Sequence, residues 1–499
     1  MDVTGASQAG GELITQRASY VAGRWVDGEE SMAVENPADE SHVTDVSVTP
    51  IDQIARAVAE ARRAFDAGVW ADLPARRRAE ILHAFVDYLE TVHGAWVATM
   101  VAEAGQPSMF AEMAQYSAGI TYSRNTIDLY LGLPQEESNP VPVDELVRGR
   151  VALSVRRYEP IGVVAAITPY NAPVIMGFQK LIPALMAGNS VILRPSPLTP
   201  ISSLAFGAAA EAAGLPPGVL SVVVEAGSAG AELLTTDPAV DMVSFTGSTA
   251  VGRQILAQAA TTVKRVALEL GGKSAQIYLP DALHRVGPGA AAVIAMTAGQ
   301  ACVAATRMLV PEESKSEVLE AVAATYAGIE VGPPSEPTAM MGPLISAAQR
   351  DRCARFVALA EEHGGKVVCG GGRPAGLDRG YYFEPTVLDL PDSSNPAAQE
   401  EIFGPVIGVI GYRDVDDAVR IANDSVYGLS SQVYGADTAA ATAIARRMRA
   451  GAANVNTGMF SAYAPSGGYK QSGLGRERGV EGVRAFQEVK HLLIGELPK

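Results

Sequence analysis

The chain has 499 residues, 39 Lys and Arg against 55 Asp and Glu, and a formal net charge of −16. That length exceeds one ordinary domain, so two or three are expected; 48% hydrophobic residues with 50 Gly and 31 Pro fit a globular chain, neither fibrous nor disordered. The acidic balance opposes nucleic-acid binding, which needs a basic surface to neutralise phosphates.

In chain order, residues 1–16 read as a disordered polar tail without the basic-then-apolar order of a secretory signal. Residues 20–26 read as a short hairpin, and 51–67 and 76–104 carry apolar residues at helical spacing. Arg76, Arg77 and Arg78 within the second stretch read as a solvated helix face. Residues 132–144 are rich in Pro, Glu and Asn and mark a connection before an exposed strand at 151–158. From 162 the texture changes. Short strand-like runs at 163–167, 190–193, 221–224 and 242–245 alternate with helical stretches at 174–187, 200–213 and 229–235, which predicts βαβ units and a parallel sheet. A second alternating region runs from about 272 to 459. The most apolar stretch, 162–193, is interrupted by Pro169, Pro173, Lys180 and Pro183, so it is no membrane-spanning helix. The three cysteines, Cys302, Cys353 and Cys369, form no CxxC pair. Such a set suits a reducing cytoplasm rather than disulfides, and no cluster has metal-ligand spacing, so no metal is expected.

Three runs carry candidate chemistry. Glu269 precedes Gly271 and Gly272 at the end of a strand-like stretch, where ligands bind in α/β folds; alone it reads as a surface acid at a turn. Cys302 lies in Gly299-Gln300-Ala301-Cys302, and by itself a cysteine among small residues is a packing residue. Asn171 lies in the proline-bracketed loop Pro169-Tyr170-Asn171-Ala172-Pro173, which alone reads as a turn. Gly247 and Gly252 have the spacing of a triphosphate-binding loop, but Arg253 and Gln254 follow where Lys and Ser or Thr are needed.

Taken together, these runs resemble the aldehyde dehydrogenase superfamily from about residue 20 to 493. The matches are the glutamate–glycine run, the GQxCxxxxR segment at 299–307, the PxNxP loop, Glu400-Glu401-Ile402-Phe403-Gly404-Pro405 and Gly467-Gly468-Tyr469-Lys470-Gln471-Ser472-Gly473. The resemblance implies an α/β protein. A Rossmann-like cofactor domain would cover 17–137 and 158–269, and an α/β catalytic domain 270–468. A small β oligomerisation arm would come from 138–157 and 485–499, giving a homodimer or homotetramer.

It further implies that Cys302 attacks an aldehyde carbon and that the Asn171 amide and the Cys302 backbone N–H hold the oxyanion. Each such donor is worth about 3 kcal/mol. Glu269 would activate the water that hydrolyses the thioester, with Lys180 and Glu477 supporting proton movement. The implied cofactor contacts are Ile167, Thr168, Pro169, Tyr170, Arg194, Ser196, Gly227, Phe245, Gly247, Ser248, Val251, Leu270, Gly271, Glu401 and Phe403. Among these, Gly247 and Ser248 would meet the pyrophosphate at a helix N-terminus, and Glu401 and Phe403 the nicotinamide ribose and ring.

Departures from the family pattern bear on specificity. Arg194-Pro195-Ser196-Pro197 lacks the usual ribose-binding glutamate. Arg194 there can pair with a 2′-phosphate, but Glu225 lies in a loop facing the same ribose, so NAD is expected over NADP. Ala172 follows the asparagine where an aromatic residue is frequent, Gln179 replaces a frequent Trp, and Ser466 a frequent Phe. The remaining lining, Met109, Met113, Ala172, Met176, Val303, Met459, Phe460 and Tyr463, predicts a roomy apolar tunnel for a medium or bulky hydrophobic aldehyde, aromatic or terpenoid. No arginine is assigned to the tunnel, which disfavours an anionic semialdehyde. A CoA-acylating enzyme is the nearest alternative, but such relatives lack the glutamate at position 269. A non-catalytic relative would have lost the cysteine, base or oxyanion donor, and a cofactor-free thiol hydrolase would leave Glu401, Gly247 and Ser248 without a role.

Overall fold

The computed structural model describes residues 12–143, 146, 151–295, 297–458, 461 and 463–495. The apolar runs after residue 162 form the centre of an eight-stranded sheet: β1 (Val163–Ile167), β2 (Ser190–Arg194), β3 (Leu220–Val222), β4 (Met242–Thr246) and β5 (Arg265–Glu269). These five are parallel in the order β5-β4-β1-β2-β3. The hairpin Ser19–Val21 and Arg24–Val26 extends the sheet beyond β3, and Gly473–Leu474 pairs antiparallel beyond β5.

Helices α1 (Pro173–Ala187), α2 (Ile201–Ala212), α3 (Ala229–Thr236) and α4 (Thr249–Ala259) connect the strands. Successive strand residues enter different cores, because side chains alternate across a sheet. Val164, Ala166, Val191 and Leu193 pack with α1 and α2, whereas Val163, Ala165, Ile192 and Val243 pack with α4 and the helix Ile51–Asp66. With both faces covered, the strands read as unbroken apolar runs. The chain reverses direction across the sheet between β1 and β4, a position where α/β sheets open a binding crevice.

A seven-stranded sheet forms the second core, with Ala275–Tyr278, Arg307–Pro311, Val406–Tyr412 and Ser430–Tyr434 among its parallel strands. A separate three-stranded sheet joins Glu136–Ser138, Leu153–Pro160 and Gln487–Ile494, and exposes Leu153, Val489, Leu493 and Ile494. No helix among the described residues is long and apolar enough to cross a membrane.

Three local readings need correction. The helical stretch 76–104 is two helices, Ala75–Thr91 and His93–Ala104, broken at Val92 (φ −103°, ψ 16°). Arg78 does not share the solvated face of Arg77. It is buried, and its guanidinium donates to the carbonyls of Met186, Ala71 and Leu73. Within the expected tail, Ile14 is buried and its N–H donates to Thr99 Oγ1 at 2.9 Å, so the fold already holds the chain there.

Candidate active site

Parallel register aligns the carboxyl ends of the central strands. Ile167 lies opposite Arg194 and Phe245, and Thr246 opposite Glu269. Beyond β4 the chain turns at Gly247, whose N–H donates to the Glu269 carbonyl at 3.0 Å, and enters α4. Ser248 caps that helix, its Oγ accepting from Val251 N at 3.3 Å, while Gly252 lies against Leu270. Helix N-terminal amides and the helix dipole favour an anion at such a turn. At β2, the Arg194 carbonyl accepts from Thr168 N, and Ser196 follows in a buried loop. Gly227 faces open space.

Glu401 seats its carboxylate on the glycine pair after Glu269. Gly272 N donates to Oε1 at 2.9 Å, and a Cβ on Gly271 would come within 2.4 Å of Oε2. A side chain at Gly271 would therefore displace Glu401. Phe403, at φ +62°, packs edge-on to Tyr170 with ring centroids 6.0 Å apart. That left-handed backbone is strained for an aromatic residue. Gln349 Nε2 holds it by donating to the Ile402 and Phe403 carbonyls at 2.9 and 2.7 Å. Arg352 likewise donates to the carbonyls of Glu401 and Ile402. A cavity of about 480 Å³ lies here, lined by Tyr170, Leu198, Ile345, Gln349 and Arg352. The sequence reading missed Gln349 and Arg352. Their signal is a polar pair three apart on the single helix Ala347–Glu362.

The cysteine, asparagine and glutamate converge from three chain segments. The cysteine loop begins with left-handed turns at Ala298 (φ +51°) and Gly299 (φ +72°), and the Cys302 carbonyl packs against Gly272. Asn171 is fixed through side chain and backbone: Nδ2 donates to the Gln300 carbonyl at 2.8 Å, and its backbone carbonyl accepts from Gln106 Nε2 at 2.8 Å. Only one Nδ2 hydrogen serves Gln300, which leaves a second donor on the same nitrogen. Burial pushes the Cys302 thiol up to about 12, reinforced by the charges of Glu401 and Glu269 and opposed by Arg478.

Glu269 is 8% exposed, and its Oε1 has no hydrogen-bond partner among the described residues. Burial raises it to about 8; Glu477 adds to the rise, while Lys180, Arg476 and Arg478 oppose it. The Gly467–Gly473 segment forms its seat. Leu270 N donates to the Ser472 carbonyl, Ser472 Oγ donates to the Gly271 carbonyl, and a Cβ at Gly467 would approach Oε1 to 2.8 Å. Beside it, fully buried Lys180 donates to Glu477 Oε1 at 2.6 Å and to Ser244 Oγ at 3.0 Å.

Next to Lys180 on α1, buried Gln179 meets Arg478. With its amide oriented by the hydrogen-bond network, the Gln179 oxygen accepts from Arg478 Nε at 3.0 Å and Nη2 at 2.7 Å. Adjacent pairs, 179 with 478 and 180 with 477, thus stitch α1 to the segment that follows Gly473. Ser466 and Glu477 exchange backbone hydrogen bonds at 2.7 Å.

The expected tunnel residues are less closely gathered. Ala172, Met176 and Val303 are half-buried. Met109 and Met113 are 67% and 64% exposed, on a segment whose π-helical part, Ala111–Ser117, packs against α1. Tyr463 is exposed, and Met459 and Phe460 lie outside the described residues. Among the described residues, no three His, Cys, Asp or Glu side chains are grouped to hold a metal ion.

Residues 25–492 match the Aldehyde dehydrogenase family. The chain is 38% identical to a geranial dehydrogenase of Castellaniella defragrans over 95% of this chain and 98% of that one. It is 36% identical to a 3-succinoylsemialdehyde-pyridine dehydrogenase of a Pseudomonas species, covering 96% and 98%. Among solved structures, it is similar to aldehyde dehydrogenase C of Pseudomonas syringae, a mutant in complex with NAD+ and octanal, at 37% identity, TM-score 0.91 and coverage of 97% and 98%. Betaine aldehyde dehydrogenase of Staphylococcus aureus in complex with NAD+ is similar at 31% identity and TM-score 0.91, covering 97% and 95%. The chain belongs to the aldehyde dehydrogenase family.

Proposed function

We propose that the protein oxidises a medium or bulky hydrophobic aldehyde to its carboxylic acid with NAD, using Cys302 as nucleophile and Glu269 as base. The observation that carries this reading is the buried, unpartnered Oε1 of Glu269, set with Asn171 and Cys302 at the strand ends. A buried carboxylate oxygen without a donor is costly and marks a functional site.

The groove fits a dinucleotide. Gly227 opens onto free space, the α4 N-terminus offers amides beside Gly247, and the Thr168 and Thr246 hydroxyls are buried at strand ends without partners among the described residues. Ile167, Pro169, Tyr170, Phe245, Val251 and Leu270 would line it, with Glu401 and Phe403 at the nicotinamide end. When bound, NAD supplies the oxidising equivalent.

The chain's own residues do the rest. A thiol held near 12 is protonated at neutral pH, so Cys302 gives its proton to Glu269 as Sγ bonds the aldehyde carbon, and Glu269 releases it to solvent before hydrolysis. The Asn171 Nδ2 donor and the Cys302 backbone N–H receive the oxyanion. Once the carbon is oxidised, Cys302 carries a thioester. Glu269 takes a proton from water, the water oxygen bonds the acyl carbon, and the C–S bond breaks to release the acid.

The geranial- and octanal-related proteins support the apolar substrate class. Gln179 engages Arg478, which argues against an isolated cation awaiting an anionic aldehyde. The exposed apolar residues of the three-stranded sheet support a homodimer or homotetramer, and the sparse cysteines a cytoplasmic location. The test is reduced-nicotinamide absorbance with NAD and a panel from acetaldehyde through octanal, benzaldehyde and citral to succinate semialdehyde, with Cys302→Ala as control. Octanal and citral should lead in kcat/KM, and added CoA should leave the rate unchanged. A higher kcat/KM for succinate semialdehyde would sink the substrate class.

A further inference from the structure

The far side of the sheet holds a second buried ionic assembly. Arg194 ends β2, and its Nε donates to Glu225 Oε1 at 2.8 Å while Nη2 donates to the Gly227 carbonyl at 2.7 Å. Glu225 makes further contacts: Oε1 accepts from Ala231 N at 2.9 Å and Oε2 from Gly230 N at 2.7 Å. Both side chains are largely buried, at 11% and 6% exposure. The amides of Gly230 and Ala231 belong to the first turn of α3, where an anion is favoured. Glu225 thus fills, from within the chain, a position furnished with one guanidinium and two helix-end amides.

That donor set would suit a phosphate if the carboxylate were absent. Three adjoining features place it beside the groove: Gly227 faces open space, Ser196 follows Arg194 by two residues, and Thr168 N bonds the Arg194 carbonyl. We infer that Glu225 is the coenzyme-selecting residue of this protein: it occupies Arg194 and the α3 amides, and so excludes a 2′-phosphate that they would otherwise bind. This inference rests on the dinucleotide reading of the groove. It moves discrimination from the β2 loop, where Pro197 offers no carboxylate, to the loop after β3. A 2′-phosphate would have to break a buried ion pair and lie beside the freed carboxylate, which disfavours it on both counts.

The experiment is calorimetric binding of 5′-AMP, adenosine 2′,5′-bisphosphate and NAD to the full-length wild type, Glu225→Gln, Glu225→Ala and Glu225→Ala with Arg194→Met. The wild type should bind NAD and prefer 5′-AMP to the bisphosphate at least about tenfold. Glu225→Ala should shift the preference about 10- to 100-fold toward the bisphosphate, consistent with a gain of one or two charge-assisted hydrogen bonds. Glu225→Gln should shift it in the same direction by less, since the amide can still cap α3, and serves as readout if the alanine variant fails to fold. Adding Arg194→Met should abolish the gain. A wild type that binds the bisphosphate as tightly as 5′-AMP, or folded variants with an unchanged ratio, overturns the inference while leaving NAD binding intact. Absence of NAD binding by the wild type overturns the cofactor reading and this inference with it.

Discussion

Glu225 and Glu269 are buried to nearly the same depth, at 5% and 8% exposure, on opposite sides of the five parallel strands. Glu225 receives Arg194, Gly230 and Ala231 on its two oxygens. Glu269 keeps Oε1 unpartnered, faces Glu477, and is raised to about 8. Desolvation is therefore common to both and cannot be what separates them. Donor supply separates them: one carboxylate is saturated and holds a loop in place, whereas the other retains lone pairs with which to accept a proton.

The largest effect should come from removing the proton acceptor. Glu269→Gln should lower steady-state turnover by about 10²- to 10⁴-fold, and the stopped-flow burst of reduced nicotinamide should fall with it, because Cys302 needs the same base before oxidation. A full burst of one equivalent per site would confine Glu269 to hydrolysis. Lys180→Met should strand Glu477 in the interior and cost about 3–5 kcal/mol of stability, read from the denaturation midpoint of the NAD-free protein. Asn171→Ala should reduce kcat by about 10²- to 10³-fold with the fold unchanged by circular dichroism.

The pH dependence sharpens the contrast further. With Glu269 near 8 in the folded state and an ordinary glutamate value of 4.5 when unfolded, the native protein binds the extra proton between those limits. Stability should accordingly fall as pH rises from about 4.5 to 8, and Glu269→Gln should flatten that slope. Hydrolysis needs the ionised form, so its rate should climb through pH 8. Glu477→Gln should move that limb to lower pH and Arg478→Met to higher pH, the smallest effects in the series. Coincident profiles for the two variants would show that these neighbours do not tune the base.

The parallel sheet was legible because strands covered on both faces are compact apolar runs, as in 163–167 and 190–194. The Cys302, Glu269 and Asn171 runs carried local patterns and could be assembled by resemblance. Partners fixed only by tertiary contact were not legible. Arg78 finds a carbonyl 108 positions away, which no helical periodicity encodes. Arg478 meets Gln179 across a contact between α1 and the C-terminal segment. The break at Val92 escaped because the nearby glycine, Gly94, lies inside the second helix and not at the break.

The Lys180–Glu477 bond joins residues 297 positions apart, and Glu269 pairs with Gly473 at the sheet edge. At 5–20 residues per second, the ribosome needs about 15–60 s to travel from the first of the bonded pair to the second. A nascent chain that already carries its cysteine loop therefore still lacks the segment that seats Glu269. Under the proposed mechanism, competence for acyl hydrolysis is acquired only after the 467–477 segment has been made, so chains terminated before it would be unable to turn over whatever acyl group their thiol captured.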